Sequence, residues 1–173
     1  MQSPQNISDG NVSGHNLLAQ HYFLDSLDLH NRFLQHWEDQ PRRSSRVKSF
    51  IDLMMACECL LKAQCILSQN LKPLGEAYGQ VKKFGHNIDN LSRFAEKSFP
   101  MQAHGQSRDY FGQFSVSLRY SAESHHFFNP IENSGPPDRP NYCMTLGNSV
   151  WLQGANNVVL DRVEKVMGFG RVS

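Results

Sequence analysis

The sequence predicts an all-α protein, an up-and-down bundle of about five helices. Three observations carry that prediction. Apolar residues recur at three- and four-residue steps over long stretches. Strand-like alternation is nearly absent, since Val47–Ile51 and Tyr142–Leu146 are too short or too weakly alternating. Prolines 41, 73 and 100, and four more between 129 and 141, fall between the periodic stretches.

The elements follow in order. Residues 1–15 are rich in Ser, Asn and Gly and read as a flexible lead-in; residues 16–173 read as one domain. The first helix is expected over Asn16–Gln40, with Leu17, Leu18, Leu24, Leu27, Phe33, Leu34 and Trp37 on its packed face and Pro41 as its stop. Arg42, Arg43, Arg46 and Lys48 form a basic turn, and Ser45 or Ser49 is the expected cap of a second helix ending near Gln69. That helix has the strongest periodicity in the chain: Phe50, Leu53, Met54, Cys57, Leu60, Leu61 and Cys65. Leu71–Phe84, broken by Pro73, Gly75 and Gly79, reads as a connector with at most one or two helical turns. A third helix is expected over Ile88–Phe99. A fourth runs from a Ser107 cap to Tyr120 or beyond, with Tyr110, Phe111, Phe114 and Leu118 inward. Residues 129–141 must form a loop, and Asn148–Met167 a last helix stopped by Gly168.

Composition narrows the function. With 173 residues, 39% apolar and 19% charged, the chain has the material for one core and too little charge for disorder. Its net charge of +1 excludes a surface that binds nucleic acid all over and confines any such role to a local patch, for which Arg42, Arg43, Arg46 and Lys48 are the candidate. No apolar run approaches the length of a membrane span, so no membrane association is expected. Cys57, Cys59, Cys65 and Cys143 match no zinc or redox spacing; they read as free thiols in a reducing, cytoplasmic setting. Gly75, Gly79 and Gly85 match no phosphate-loop or dinucleotide fingerprint, and no cofactor is expected. His21, Asp25 and Asp28 share one helical face without a partner motif elsewhere, so no metal site is expected. His30 and His36, alternating with Phe33 and Trp37, read as solvent- or interface-facing.

Three short motifs then stand in a telling order. The second helix carries Glu58-Cys-Leu-Leu-Lys62-Ala63, and the third begins Gly85-His86-Asn87-Ile88-Asp89-Asn90-Leu91. The fourth ends Leu118-Arg119-Tyr120-Ser121, followed by His125-His126. Together with a long helical pair ahead of them, these resemble the HEPN family, the higher eukaryotes and prokaryotes nucleotide-binding domain. The resemblance spans roughly Leu17–Phe128 and the final helix, and lies in motifs and helix order. It implies a homodimeric bundle that binds nucleotide or RNA in a polar cleft at the dimer interface, lined by Arg119, Tyr120, His125 or His126, Glu58, Lys62 and His86. It also implies a possible nucleotidyltransferase partner protein. Two other functions stay open: a metal-independent endoribonuclease, and a non-catalytic interaction bundle of the toxin–antitoxin kind.

The catalytic signature of the family is an Arg followed after four to six residues by a His, met here by Arg119 with His125 or His126. The chemistry needs no metal. A histidine takes the ribose 2′-hydroxyl proton or protonates the departing 5′-oxygen, and the arginine stabilises the phosphorane charge, leaving a 2′,3′-cyclic phosphate. On an unbroken helix His126, at i+7, returns to the Arg119 face and ranks above His125. Tyr120 reads as an aromatic at the core edge with its hydroxyl bonded. Glu58 and Lys62 admit two readings, a surface i,i+4 ion pair or a polar cluster in which Glu58 accepts from Arg119. His86 reads either as a cap or packing residue or as a ligand contact.

Overall fold

The computed structural model describes residues 13–37, 42–129 and 139–169, residue 169 by its backbone alone. The all-α class holds, and no strand occurs among the described residues. Among the described residues seven α-helices stand where five were expected: α1 Gly14–His36, α2 Arg43–Leu67, α3 Leu74–Phe84, α4 Ile88–Glu96, α5 Ala103–Phe111, α6 Ser121–Phe128 and α7 Ser149–Phe169, with a 3-10 turn at Val116–Arg119.

Helix α2 is the axis of the molecule. Sixteen of its 25 residues are buried, which is the pattern of a helix covered on all sides rather than on one. Helices α1, α3, α4, α6 and α7 and the 3-10 turn all pack on it. Its first half is enclosed by aromatic rings, Phe50 lying against Phe111, Phe114 and Trp151 at centroid distances of 5.8, 4.8 and 5.6 Å. Burying a side chain of that size contributes about 1.5–3 kcal/mol.

Ser13 caps α1 through its hydroxyl, which accepts from the Asn16 N–H at 3.2 Å, so the helix starts two residues before the expected Asn16. The expected end at Gln40 and the Pro41 stop lie outside the described residues. The packed face of α1 differs from the leucine stripe. His15, Ala19, Ser26, His30 and Phe33 are buried, while Leu17, Leu24 and Leu34 are exposed. His30, expected to face solvent, bonds Asn156 of α7 at 2.6 Å, a long-range pairing that periodicity cannot foresee.

Ser45 and Ser49 cap nothing, because α2 begins at Arg43 and no side chain caps it. The expected connector is instead a three-turn helix. Glu76 in the first turn of α3 and Lys82 and Lys83 in the last complement its dipole, and Ala77 and Val81 bury one face. Gly85, at φ +56°, supplies the left-handed residue that ends it. These end signals outweigh the cost of Gly75 and Gly79 inside, roughly 1 kcal/mol each.

The expected fourth helix breaks into three pieces. Ser107 sits inside α5, where its hydroxyl donates to the Ala103 carbonyl at 2.7 Å. After Gly112 the backbone turns extended at Ser115, whose hydroxyl caps the 3-10 turn, and extended again at Tyr120 before α6. Arg119 and the two histidines therefore belong to different elements. On the last helix the expectation is close: Asn148 Oδ1 accepts from the backbone N–H of Val150 and Trp151 and starts α7. Of the loop at 129–141, residues 130–138 lie outside the described residues. No described helix is long and apolar enough to cross a membrane.

Candidate functional site

Two of the three sequence motifs meet at one carboxylate. Glu58, on α2, keeps only 4% of its side chain exposed and accepts from Lys62 Nζ at 2.7 Å. The His86 ring comes from the turn between α3 and α4, and its Nδ1 lies 3.0 and 2.9 Å from the two Glu58 oxygens. Neither of the two sequence readings of Glu58 survives in full. The i,i+4 pair with Lys62 forms but is largely buried, and the third partner is His86 instead of Arg119.

The geometry has a chemical consequence. A carboxylate can only accept, so it holds a proton on His86 Nδ1 and leaves Nε2 of the neutral ring as an acceptor. That ring is 57% exposed. Glu58 thus orients a solvent-facing imidazole, as a carboxylate orients a catalytic or ligand-binding histidine. Tyr22 of α1 and Cys59 of α2 stand near the Glu58–Lys62 pair, and Tyr78 of α3 acts on Tyr22. Lys62 Nζ lies 5.9 Å from the Tyr22 ring centroid. Burial, reinforced by Tyr78, Cys59, Glu58 and Asp25, raises the Tyr22 hydroxyl pKa. Burial and the Glu58 charge push the Cys59 thiol up to about 12, which keeps it protonated and unreactive at neutral pH.

The third motif stands apart. Arg119, Tyr120, His125 and His126 are all exposed. Arg119 has no hydrogen-bond or ion-pair partner among the described residues, although its charge acts on Asp52 of α2. Asp52 pairs with Arg32 at 2.7 Å, and burial raises its pKa against that pull. Asp52 precedes Glu58 by six residues, so these two carboxylates lie about 9 Å apart along α2 and on different faces. The break at Tyr120 removes the basis for ranking His126 over His125, because the i+7 relation needs one continuous helix. Tyr120 is 62% exposed, with no hydrogen bond to its hydroxyl among the described residues, so it is no core-edge aromatic.

A second polar cluster, absent from the sequence reading, is wholly buried. Arg162 of α7 is 0% exposed. Its Nη1 donates to Gln64 Oε1 at 2.6 Å and lies 3.3 Å from His104 Nδ1, while Nη2 donates to the Ala103 carbonyl at 2.8 Å and Ser107 Oγ at 2.6 Å. His104 Nε2 donates to the Phe99 carbonyl at 2.7 Å, which leaves Nδ1 to accept from the arginine. No carboxylate among the described residues reaches this guanidinium; carbonyl, amide and hydroxyl dipoles hold the charge instead. Burial and Arg162 together press the His104 pKa down to about 4, so the ring is neutral at pH 7. The signal was present: Arg162 stands midway between Val158 and Val166, at a position where the 3.6-residue period calls for a core side chain.

No group of three His, Cys, Asp or Glu among the described residues has the arrangement of a metal site. Cys57 and Cys65 are buried and Cys143 exposed, all as free thiols. No family model, no curated protein and no solved structure matches the chain.

Proposed function

We propose that the chain is a HEPN-like helical domain that binds nucleotide or RNA, acting as a homodimer in the cytoplasm. One observation carries the reading: Glu58, Lys62 and His86, drawn from two motifs 28 residues apart, share one buried carboxylate that orients an exposed imidazole. Burying a carboxylate costs several kcal/mol unless it is paired. A solvent-open histidine held by one is better suited to receive a ligand than to hold the fold. Exposed Tyr120 adds a π-face on which a base can stack, and exposed Leu17, Leu24 and Leu34 along α1 offer apolar surface to a second copy.

A second reading, a metal-independent endoribonuclease, has its own support. Arg119 is exposed and unpaired among the described residues, and two exposed histidines follow it on α6, so none is committed to the fold. Labelled RNA incubated with the full chain in EDTA separates the readings. Binding that His86→Ala abolishes supports the first. Products ending in 2′,3′-cyclic phosphate, lost in Arg119→Ala and in one of His125→Ala or His126→Ala, add the second. Absence of cleavage by the wild type removes the ribonuclease. Absence of binding to RNA and to every nucleotide removes both and leaves an interaction bundle.

A further inference from the structure

The start of α2 gathers the chain's densest run of cations, Arg42, Arg43, Arg46 and Lys48, and Arg139 stands three residues before Tyr142, whose ring meets Arg43. None of the five has a carboxylate within ion-pair distance among the described residues. Arg43 lies over two rings: its guanidinium carbon is 4.3 Å from the Tyr142 ring centroid and 5.2 Å from that of Phe128. Its Nη1 touches Asn129 Oδ1 at 3.4 Å, and the Asn129 amide in turn lies 3.5 Å from His125 Nδ1. Arg46 follows one turn later, and the charges of both arginines act on the Tyr142 hydroxyl. Arg46 Nε and Arg139 Nη1 are buried atoms with no hydrogen-bond partner among the described residues.

Stacking Arg43 between two rings serves packing by itself, because it fastens the turn at 141–147 to α2 and α6. It does not account for the other four cations, nor for the two guanidinium donors that meet no acceptor among the described residues. Guanidinium groups interleaved with aromatic rings are also how proteins hold single strands, with the cations on phosphates and the rings under bases. The nearest acid on α6, Glu123, lies in its first turn, at the opposite end from Phe128 and Asn129.

We propose that Arg43, Arg46 and Arg139, set among Phe128 and Tyr142, form a phosphate-binding track for single-stranded RNA that leads across Asn129 to His125. The proposal rests on the reading that the chain binds RNA and deepens it by naming where the backbone of the strand lies. Stacking preorganises the Arg43 fork, so a phosphate finds its donors already placed. The small net charge is consistent with a track only a few nucleotides long.

The test is fluorescence anisotropy with a labelled single-stranded RNA of about 10 nucleotides, a length within the range one small domain covers, recorded over a series of salt concentrations. The full chain is compared with Arg43→Ala, Arg43→Lys and the double variant Arg46→Gln/Arg139→Gln, each checked for its melting temperature. Arg43→Ala weakens binding and lowers the slope of log Kd against log salt by about 0.7, the value for one phosphate contact on a single strand. The double variant lowers it by about 1.4. Arg43→Lys restores the slope but not the affinity, because an ammonium keeps the charge and loses the stacked fork. Should Arg43→Ala fail to fold, the other two variants carry the test. Unchanged slope and affinity in folded variants overturn the track while RNA binding stands. A wild type that binds no RNA overturns the underlying reading as well. Equal binding to phosphatidylserine vesicles, lost in the same variants, makes the face a general anionic surface and overturns its assignment to RNA.

Discussion

Helix α2 carries two buried polar clusters that solve the same problem in opposite ways. Gln64, with α5, encloses the Arg162 guanidinium in neutral dipoles and shuts it from solvent. Glu58, six residues earlier, is a buried anion with two basic partners, one of which, His86, reaches into water. The closed cluster ties α7 and α5 to α2 and has no route to a ligand. The open one ties the turn before α4 to α2 through a side chain that solvent and ligands can meet. Burial of charge therefore closes on the fold in the first case and leaves a side chain open to solvent in the second. What separates them is whether the network ends inside or outside the molecule.

The comparison can be broken by mutation, and the largest effect belongs to the closed cluster. Arg162→Ala strands Gln64, Ser107, His104 and the Ala103 carbonyl in a dry core. We expect a loss of about 3–5 kcal/mol in urea unfolding, in the range seen when one member of a buried charged network is removed. A loss under about 1 kcal/mol contradicts the network.

Next comes pH. The His104 pKa of about 4 in the folded protein lies below its ordinary value of 6.5, so the unfolded chain binds the extra proton first. Its contribution to stability is complete above pH 6.5 and is lost as pH falls toward 4, by roughly 3 kcal/mol at most. His104→Gln, which can still donate to the Phe99 carbonyl, flattens that part of the stability profile.

Glu58→Gln is expected to cost about 1–3 kcal/mol, since Lys62 is left half-buried without its anion. RNA binding falls with it. At the bottom of the scale, Arg93→Ala removes an exposed pair with Asp89 and should leave the urea unfolding midpoint unchanged.

How far the sequence already contained this picture depends on what each feature rests on. The long helices were legible because their periodicity follows from burial on one or more faces; α2 and α7 lie within a few residues of expectation apart from the start of α2. Helix α3 was hidden by two glycines, whose local cost is outweighed by signals at both helix ends and by the packing of Ala77 and Val81. The break between α5 and α6 was hidden for the opposite reason. Tyr110, Phe111, Phe114 and Leu118 keep a helical rhythm, yet Gly112 and the extended Ser115 end the helix while leaving those residues inside. Of the candidate site, Glu58, Lys62 and His86 were each named in advance and the Glu58–Lys62 pair was one expected reading, but the meeting with His86 was not, because 28 residues and two turns separate the carboxylate from the imidazole. Arg162 was missed although its register pointed inward, since its four hydrogen-bond partners come from Gln64, Ala103, His104 and Ser107, far away in the chain.

The central claim is that His86 is held for a ligand and not for the fold. His86→Ala tests it most directly when melting and RNA anisotropy are measured on the same sample. The account predicts a stability loss of at most about 1 kcal/mol, as for a largely exposed side chain, together with loss of RNA binding. A protein that is strongly destabilised yet binds RNA as before contradicts it.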